Sequence, residues 1–414
     1  MKTAGLPLFP VASDQVAITG LGAVCSLGNS LPEIVSSFLA GKSGAAEITG
    51  FDASGFGCLA APVKNLAPFK TDISSQLALT MGKHLALLMS SVGEALRSAS
   101  IGQGMFAPGD CAFFAGMGMV DYHVEDLLPA VVKSLHPDAG IDYDSFFLRG
   151  SQEIYPLWPL GMLNNVAFCQ ASIHFGLAGE NAVFCPHADS GVRAVYEAAC
   201  ALREGRAKMA LAGGIGEEIT PLGLARAKLK NLLVPPPGNV APPPFLGEAG
   251  AMLVLEPLST AVERGAHIYA RISGFGFSCE RSEDGRFAST QAISSAMRAA
   301  LSDAGISPED IDLVMLATSH ENELEAVLNL FDTGALPPVI VAASAAVGET
   351  LAAGPALSCA LALSMPDRAR LPEIFLAPSR KGASRDFTIG RLLLNGISCE
   401  GGCGAMIFEG ANGP

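Results

Sequence analysis

Apolar positions along the chain follow two spacings. Short continuous runs bounded by Gly, Asp or Pro read as buried strands: Gln15 to Gly22, Glu180 to Cys185, Lys208 to Ala212, Ala251 to Leu255, His267 to Gly274 and Ile311 to Ala317. Between them, Leu31 to Ala40, Thr80 to Ala99, Asn164 to Phe175, Ser190 to Glu204 and Thr290 to Asp303 follow the spacing of one helix face. Alternating strands and helices predict an α/β protein with layered helices and sheet. A similar order recurs in the second part of the chain, which predicts a duplicated unit with halves 1–256 and 257–414. Residues 107–170 read as a long excursion, with Asp, Pro and Gly punctuation over 107–160. A proline-rich connector, Pro235 to Pro244, interrupts regular structure.

Composition sharpens this picture. The 414 residues exceed the usual size of a single core, which fits two fused halves. Half of them are hydrophobic, 16% are charged, and mean hydropathy is +0.38, a surplus that predicts an extended core or a subunit interface. The stretch Ala352 to Met365 is too short for a membrane span and is broken by Gly354 and Pro355. Met1 to Val11 holds one Lys and two prolines and lacks a signal-peptide core, so a cytoplasmic protein is expected. A formal net charge of −14 argues against nucleic acid or an anionic membrane as partner. The ten cysteines include no CxxC pair. Cys399 and Cys403 lie four apart without a neighbouring His, so the expectation is reduced core thiols and no metal.

Candidate chemistry concentrates at Glu180 to Val195, which reads as strand, sharp turn and helix. Such an elbow lifts a reactive side chain to a helix N-terminus, where backbone N–H groups and the helix dipole favour an anion. The apex is Ala188, a methyl group. Nearby substitutes are Cys185, with His187 as its base, and Ser190. Each also has a structural reading, as a packed thiol on the incoming strand and as a packing or capping hydroxyl. Asp189 reads as a helix cap. His320, in Thr318 to Asn322, reads as a structural loop residue or as one that reaches the same cavity.

Seven segments in order carry a family resemblance: Val16 to Asn29, Leu39 to Gly44, Ser190 to Val192, Ala212 to Glu217, Phe245 to Glu256, Arg264 to Gly276 and Asn395 to Phe408. Through them the chain resembles the β-ketoacyl-acyl-carrier-protein synthases of the thiolase superfamily over nearly its whole length. The resemblance implies a thiolase-like fold, two similar βαβαβαββ halves forming a five-layer α-β-α-β-α sandwich, with 107–170 at the dimer interface. In that family a cysteine thiolate takes the acyl chain, and two histidines serve decarboxylation of malonyl-carrier protein and stabilise the enolate. Those positions fall on Ala188, Ala317 and Glu349. The family's lysine falls on Ser344 and its gating phenylalanine on Cys399, in a loop that includes Gly401 and Gly402. The backbone N–H groups of Ala188 and Cys399 would form a vestigial oxyanion hole.

Alanine forms no thioester, and an ionised glutamate donates no hydrogen bond to an enolate. The resemblance therefore implies a chain-length-factor-type subunit that pairs with a catalytic ketosynthase in polyketide or specialised fatty-acid synthesis, with no cofactor. Two alternatives stay open: an autonomous acyltransferase or decarboxylase using Cys185, Ser190, His320 or Glu349, and a homodimer that holds an acyl chain or an acyl carrier protein. Acyl carrier proteins are acidic, so net charge points to the partner for docking. Arg226, Lys228 and Lys230 keep a docking patch on this chain open.

Overall fold

Strand β1 (Val16–Cys25) is buried at all ten positions, so it carries apolar residues on both faces, as a strand covered on two sides requires. The computed structural model that shows this describes residues 15–66, 82–122, 124–138, 140–233, 244–318, 320–331, 338–367, 369–376 and 389–410. The first half continues through α1 (Lys83–Ser98), β2 (Cys111–Met117), α2 (Asn164–Phe175), β3 (Asn181–Phe184), α3 (Ala188–Arg203), β4 (Met209–Gly216), α4 (Pro221–Leu229) and β5 (Ala249–Pro257). The second runs β6 (Ala270–Cys279), α5 (Thr290–Ala304), β7 (Leu313–Leu316), α6 (Glu321–Phe331), β8 (Val339–Ala342), α7 (Gly354–Leu363), β9 (Arg391–Ile397) and β10 (Gly402–Gly410). Apart from α4 and a few short helices, both follow the expected βαβαβαββ order.

The ten strands join as β8-β7-β9-β10-β6-β1-β5-β4-β2-β3. From the centre outward each half places its first, fifth, fourth, second and third strands. The first two pairings of each half are antiparallel and the outer two parallel. The halves meet where β1 and β6 pair antiparallel, Val16 with Ile272, Ala17 with Arg271 and Ile18 with Ala270.

Helices α3 and α7 pack on strands of both halves and on each other, which makes them the middle layer. On the outer faces lie α1 and α2 on one side and α5 and α6 on the other. Strand alternation makes this five-layer arrangement possible. Leu253 and Leu255 of β5 face the middle with Val192 and Val195, while Met252 and Val254 face outward with Leu87 and Leu88. In the second half Leu392 and Leu394 join the middle cluster, and Leu393 packs outward with Met297 and Val327. Each such leucine contributes roughly 2 kcal/mol by leaving water.

Three expectations change. The excursion expected over 107–170 contains β2, buried throughout, and its last residues belong to α2; Pro108, Gly109 and Gly116 made an apolar run look punctuated. Strand β4 continues through Gly213 and Gly214 to Gly216, because those glycines let backbone from β5 and the 350–353 turn lie against the strand. Strand β3 ends the sheet and is half-buried to exposed, not buried. Residues 234–243, most of the proline-rich connector, lie outside the described residues. No described helix is long and apolar enough to cross a membrane.

Candidate functional site

Helix α3 begins at Ala188, directly after His187, whose backbone is extended (φ −112°, ψ −167°). No side chain caps this end, and Asp189, read as a cap, lies in the first turn with a buried Oδ1 that has no hydrogen-bond partner. Burial pushes the Asp189 carboxyl above its ordinary range. Ser190 is buried and donates its hydroxyl to the His187 carbonyl, so it is a packed residue with its proton engaged. Gly191 sets the depth of the helix: a Cβ there would lie 2.2 Å from the Ala352 carbonyl oxygen.

Facing α3 is the turn that joins β9 to β10. Ser398 N–H donates to the Gly402 carbonyl at 2.8 Å, and Gly401 N–H to the Ser398 carbonyl at 3.2 Å. Gly401 has φ +95°, a left-handed backbone that favours glycine. The turn directs Cys399 at His187, with Sγ and Nε2 2.9 Å apart. Lys230 Nζ, at the end of α4, donates to Cys399 Sγ at 3.3 Å and to Glu400 Oε1 at 2.5 Å. Glu400 Oε1 is 4.0 Å from His187 Nε2. Thiol, imidazole, carboxylate and ammonium thus converge beside the first residue of α3.

Burial, assisted by the Lys230 charge, lowers His187 to about 4, so the ring is neutral at physiological pH. Burial raises the Cys399 thiol while Lys230 opposes the rise. The hydrogen bond from Lys230 holds the Glu400 carboxyl below the ordinary glutamate range. Among the described residues, His187, Cys399 and Glu400 are the one group of three whose donor atoms lie close enough to share a metal ion.

The three positions that resemblance assigns to chemistry follow the carboxyl ends of parallel strands. Ala188 comes after β3, Ala317 immediately after β7, and Glu349 after β8. Ala317 N–H donates to Glu323 Oε1 at 3.0 Å. The same carboxylate accepts from Thr318 N–H (2.8 Å), Thr318 Oγ1 (3.2 Å) and Asn395 Nδ2 (3.0 Å). Glu323 is fully buried, and burial raises its carboxyl pKa against these four donors. Glu349 is half-buried, and its N–H donates to the Phe245 carbonyl at 2.8 Å. Ser344 is buried in the preceding turn of helix.

Other candidates disperse. Cys185 is exposed, contrary to the packed-thiol reading, and its Sγ accepts from Asn164 Nδ2 at 2.8 Å. His187, considered as its base, pairs with Cys399 instead. His320 lies against Phe287, with Nε2 3.5 Å from Asp284, and burial lowers its pKa. The cations Arg226, Lys228 and Lys230 do not form one patch. Arg226 chelates Asp121 at 2.5 and 3.1 Å, Lys228 donates to the Gly55 carbonyl at 2.9 Å, and Lys230 turns to Cys399 and Glu400. Sequence reasoning placed Lys230 only in a docking patch, and missed Glu400 as a site residue and Glu323 as the group behind Ala317. Only the gap between α4 and the 398–402 turn, closed by folding, reveals the first pair. A separate cavity of about 1220 Å³ is lined by Lys83, His84, Tyr122, Trp158, Glu217 and Glu248 among others, and by none of Ala188, Ala317 or Glu349.

Comparison with known proteins agrees with this architecture. Two family profiles match, "Beta-ketoacyl synthase, N-terminal domain" over residues 13–261 and "Beta-ketoacyl synthase, C-terminal domain" over 269–375. The chain is 28% identical to a 3-oxoacyl-[acyl-carrier-protein] synthase 2 of Coxiella burnetii, over 90% of this chain and 91% of that one. It is 29% identical to the tetracenomycin polyketide synthase ketoacyl synthase beta subunit of Streptomyces glaucescens, over 85% of each. Among solved structures, the ishigamide ketosynthase/chain length factor superposes with a TM-score of 0.76 at 22% identity, covering 97% of this chain and all of that one. A β-ketoacyl synthase from Burkholderia phymatum gives 0.77 at 23%, covering 96% of this chain and all of that one.

Proposed function

Since this chain belongs to the β-ketoacyl synthase family, we propose that it is a non-condensing subunit of the chain-length-factor type, paired with an active β-ketoacyl synthase. The observation that carries this reading is Ala188 at the first position of α3. The helix end is built and positioned, and a methyl stands where the family needs a thiolate. Ala317 and Glu349, at the two positions that would hold imidazoles, remove the groups that assist decarboxylation. The Glu323 carboxylate takes up the Ala317 N–H and so supports the emptied strand end.

The partner is a triad-bearing synthase working on acyl chains carried by an acyl carrier protein, in polyketide or specialised fatty-acid synthesis in the cytoplasm. Similarity to the tetracenomycin beta subunit supports that pairing. So do large apolar side chains that the single chain leaves exposed between β2 and β3: Phe147 is 71% exposed and Ile173 74%. In this reading the chain keeps the two halves 1–256 and 257–414, and the 107–170 excursion lies at the interface. The chain's role is then to bound the pocket into which the partner's product grows.

Co-expression with a triad-bearing β-ketoacyl synthase, followed by native mass spectrometry, tests this. The expected result is a 1:1 heterodimer, with no acyl adduct and no elongation when this chain is alone with acyl- and malonyl-carrier protein. Elongation by the isolated chain would overturn the reading.

A further inference from the structure

We propose that His187 Nε2, Cys399 Sγ and the Glu400 carboxylate form a binding site for one divalent ion of the zinc class, in the place now taken by the Lys230 ammonium. The three donor atoms come from two rigid pieces of backbone, the start of α3 and the turn stapled by the Ser398–Gly402 hydrogen bond. Their separations are 2.9 Å for sulfur to imidazole, 3.7 Å for sulfur to carboxylate and 4.0 Å for imidazole to carboxylate. Tetrahedral zinc, with bonds of about 2.0 to 2.3 Å, holds its ligand atoms roughly 3.5 Å apart. Two of the separations must change by about half an ångström and the third by less, which side-chain torsions supply.

Donor chemistry selects the ion. One thiolate, one neutral imidazole and one carboxylate suit zinc and its neighbours, whereas magnesium and calcium require oxygen cages. Three protein ligands leave a fourth position for water. Lys230 supports the assignment, because its ammonium shows that the sulfur and carboxylate already converge on a positive charge. Its side chain is one-third exposed, so it can leave for solvent on its flexible stem. Binding replaces the thiol proton by the ion and releases that proton to solvent. The resulting thiolate and carboxylate balance the two charges of the metal. The site depends on this chain's own side chains and stands whether or not a synthase partner is bound.

Cobalt(II) titration of the full-length protein, freed of metal and kept reduced, reads the site directly. The wild type is expected to take one cobalt per chain, with a thiolate-to-metal charge-transfer band in the near ultraviolet that equimolar zinc removes. Cys399→Ser should abolish that band. Lys230→Met, which removes the competing ammonium, should tighten binding at least 10-fold. Circular dichroism of each variant separates loss of ligand from loss of fold. Absence of the band from both wild type and Lys230→Met overturns the proposal and leaves an ammonium-bridged network. Persistence of the band in folded Cys399→Ser overturns it equally, by placing the thiolate elsewhere.

Discussion

At the scale of single residues, burial decides which groups are charged. Glu218 is buried beside Arg226 and Asp121, and burial raises its carboxyl from the ordinary 4.5 to about 7, with Arg226 opposing the rise. Between those values the folded chain holds a proton that the unfolded chain has lost. The contribution to stability is therefore full below about pH 4.5 and falls as pH rises through 7, by roughly 3 kcal/mol for a shift of this size. Urea unfolding at pH 5 and pH 8 should show the loss in the wild type and a flatter dependence in Glu218→Gln; parallel profiles would contradict the assignment. The position that the resemblance assigns to the nucleophile gives a second residue-scale expectation. Under the proposed function, Ala188→Cys places a thiol at the helix end but no imidazole at Ala317 or Glu349, so elongation assayed with malonyl-carrier protein should stay at background.

At the scale of elements, a buried ion pair ties the first half to the segment that leaves it. Glu256 on β5 has no exposed surface and accepts from Thr19 on β1 and from both Nε and Nη2 of Arg264, the latter at 2.7 and 2.5 Å. Arg264→Met would leave this carboxylate buried with only the Thr19 hydroxyl. The expected cost is about 3 to 5 kcal/mol, read from the shift in chemical denaturation. Replacing Glu256 by Gln in the same background should recover part of it, since a neutral amide is cheaper to bury than an unpaired charge. Helix α3 was legible because its small residues recur at helical spacing. Its start at Ala188, two residues before Ser190, was less so, since the capping residues the sequence offers, Asp189 and Ser190, lie inside the helix. Strand β2 was hidden for the opposite reason, an apolar run between turn-forming residues that resembles a loop when read locally.

At the scale of the whole molecule, the exposed apolar groups between β2 and β3 bear on assembly. Phe147→Asp and Ile173→Asp place charges on surfaces that the proposed pairing would bury. Each should weaken the heterodimer by about 10-fold or more, measured by dilution in native mass spectrometry, while circular dichroism stays unchanged. Unaltered pairing by both would move the interface to another face.

The alternation of strands and helices, the duplicated order and the alanine at the elbow were all determined along the chain, because each rests on local spacing or on the identity of one residue. The two faces of β5 and β9 follow the same period of two, whereas the five-layer stacking was implied by the family resemblance and not by spacing. The meeting of His187 with Cys399, Glu400 and Lys230 was not. These residues lie up to 213 positions apart, and no local rule pairs a helix start with a turn between the last two strands. Only the packing of α3 between the halves, set by Gly191 against Ala352, brings that turn within hydrogen-bonding distance. The same packing decides which thiols are exposed. Cys185 and Cys399 both precede or follow apolar strands, yet the first stands at an open sheet edge and the second in the interior, where desolvation and a neighbouring ammonium govern its chemistry.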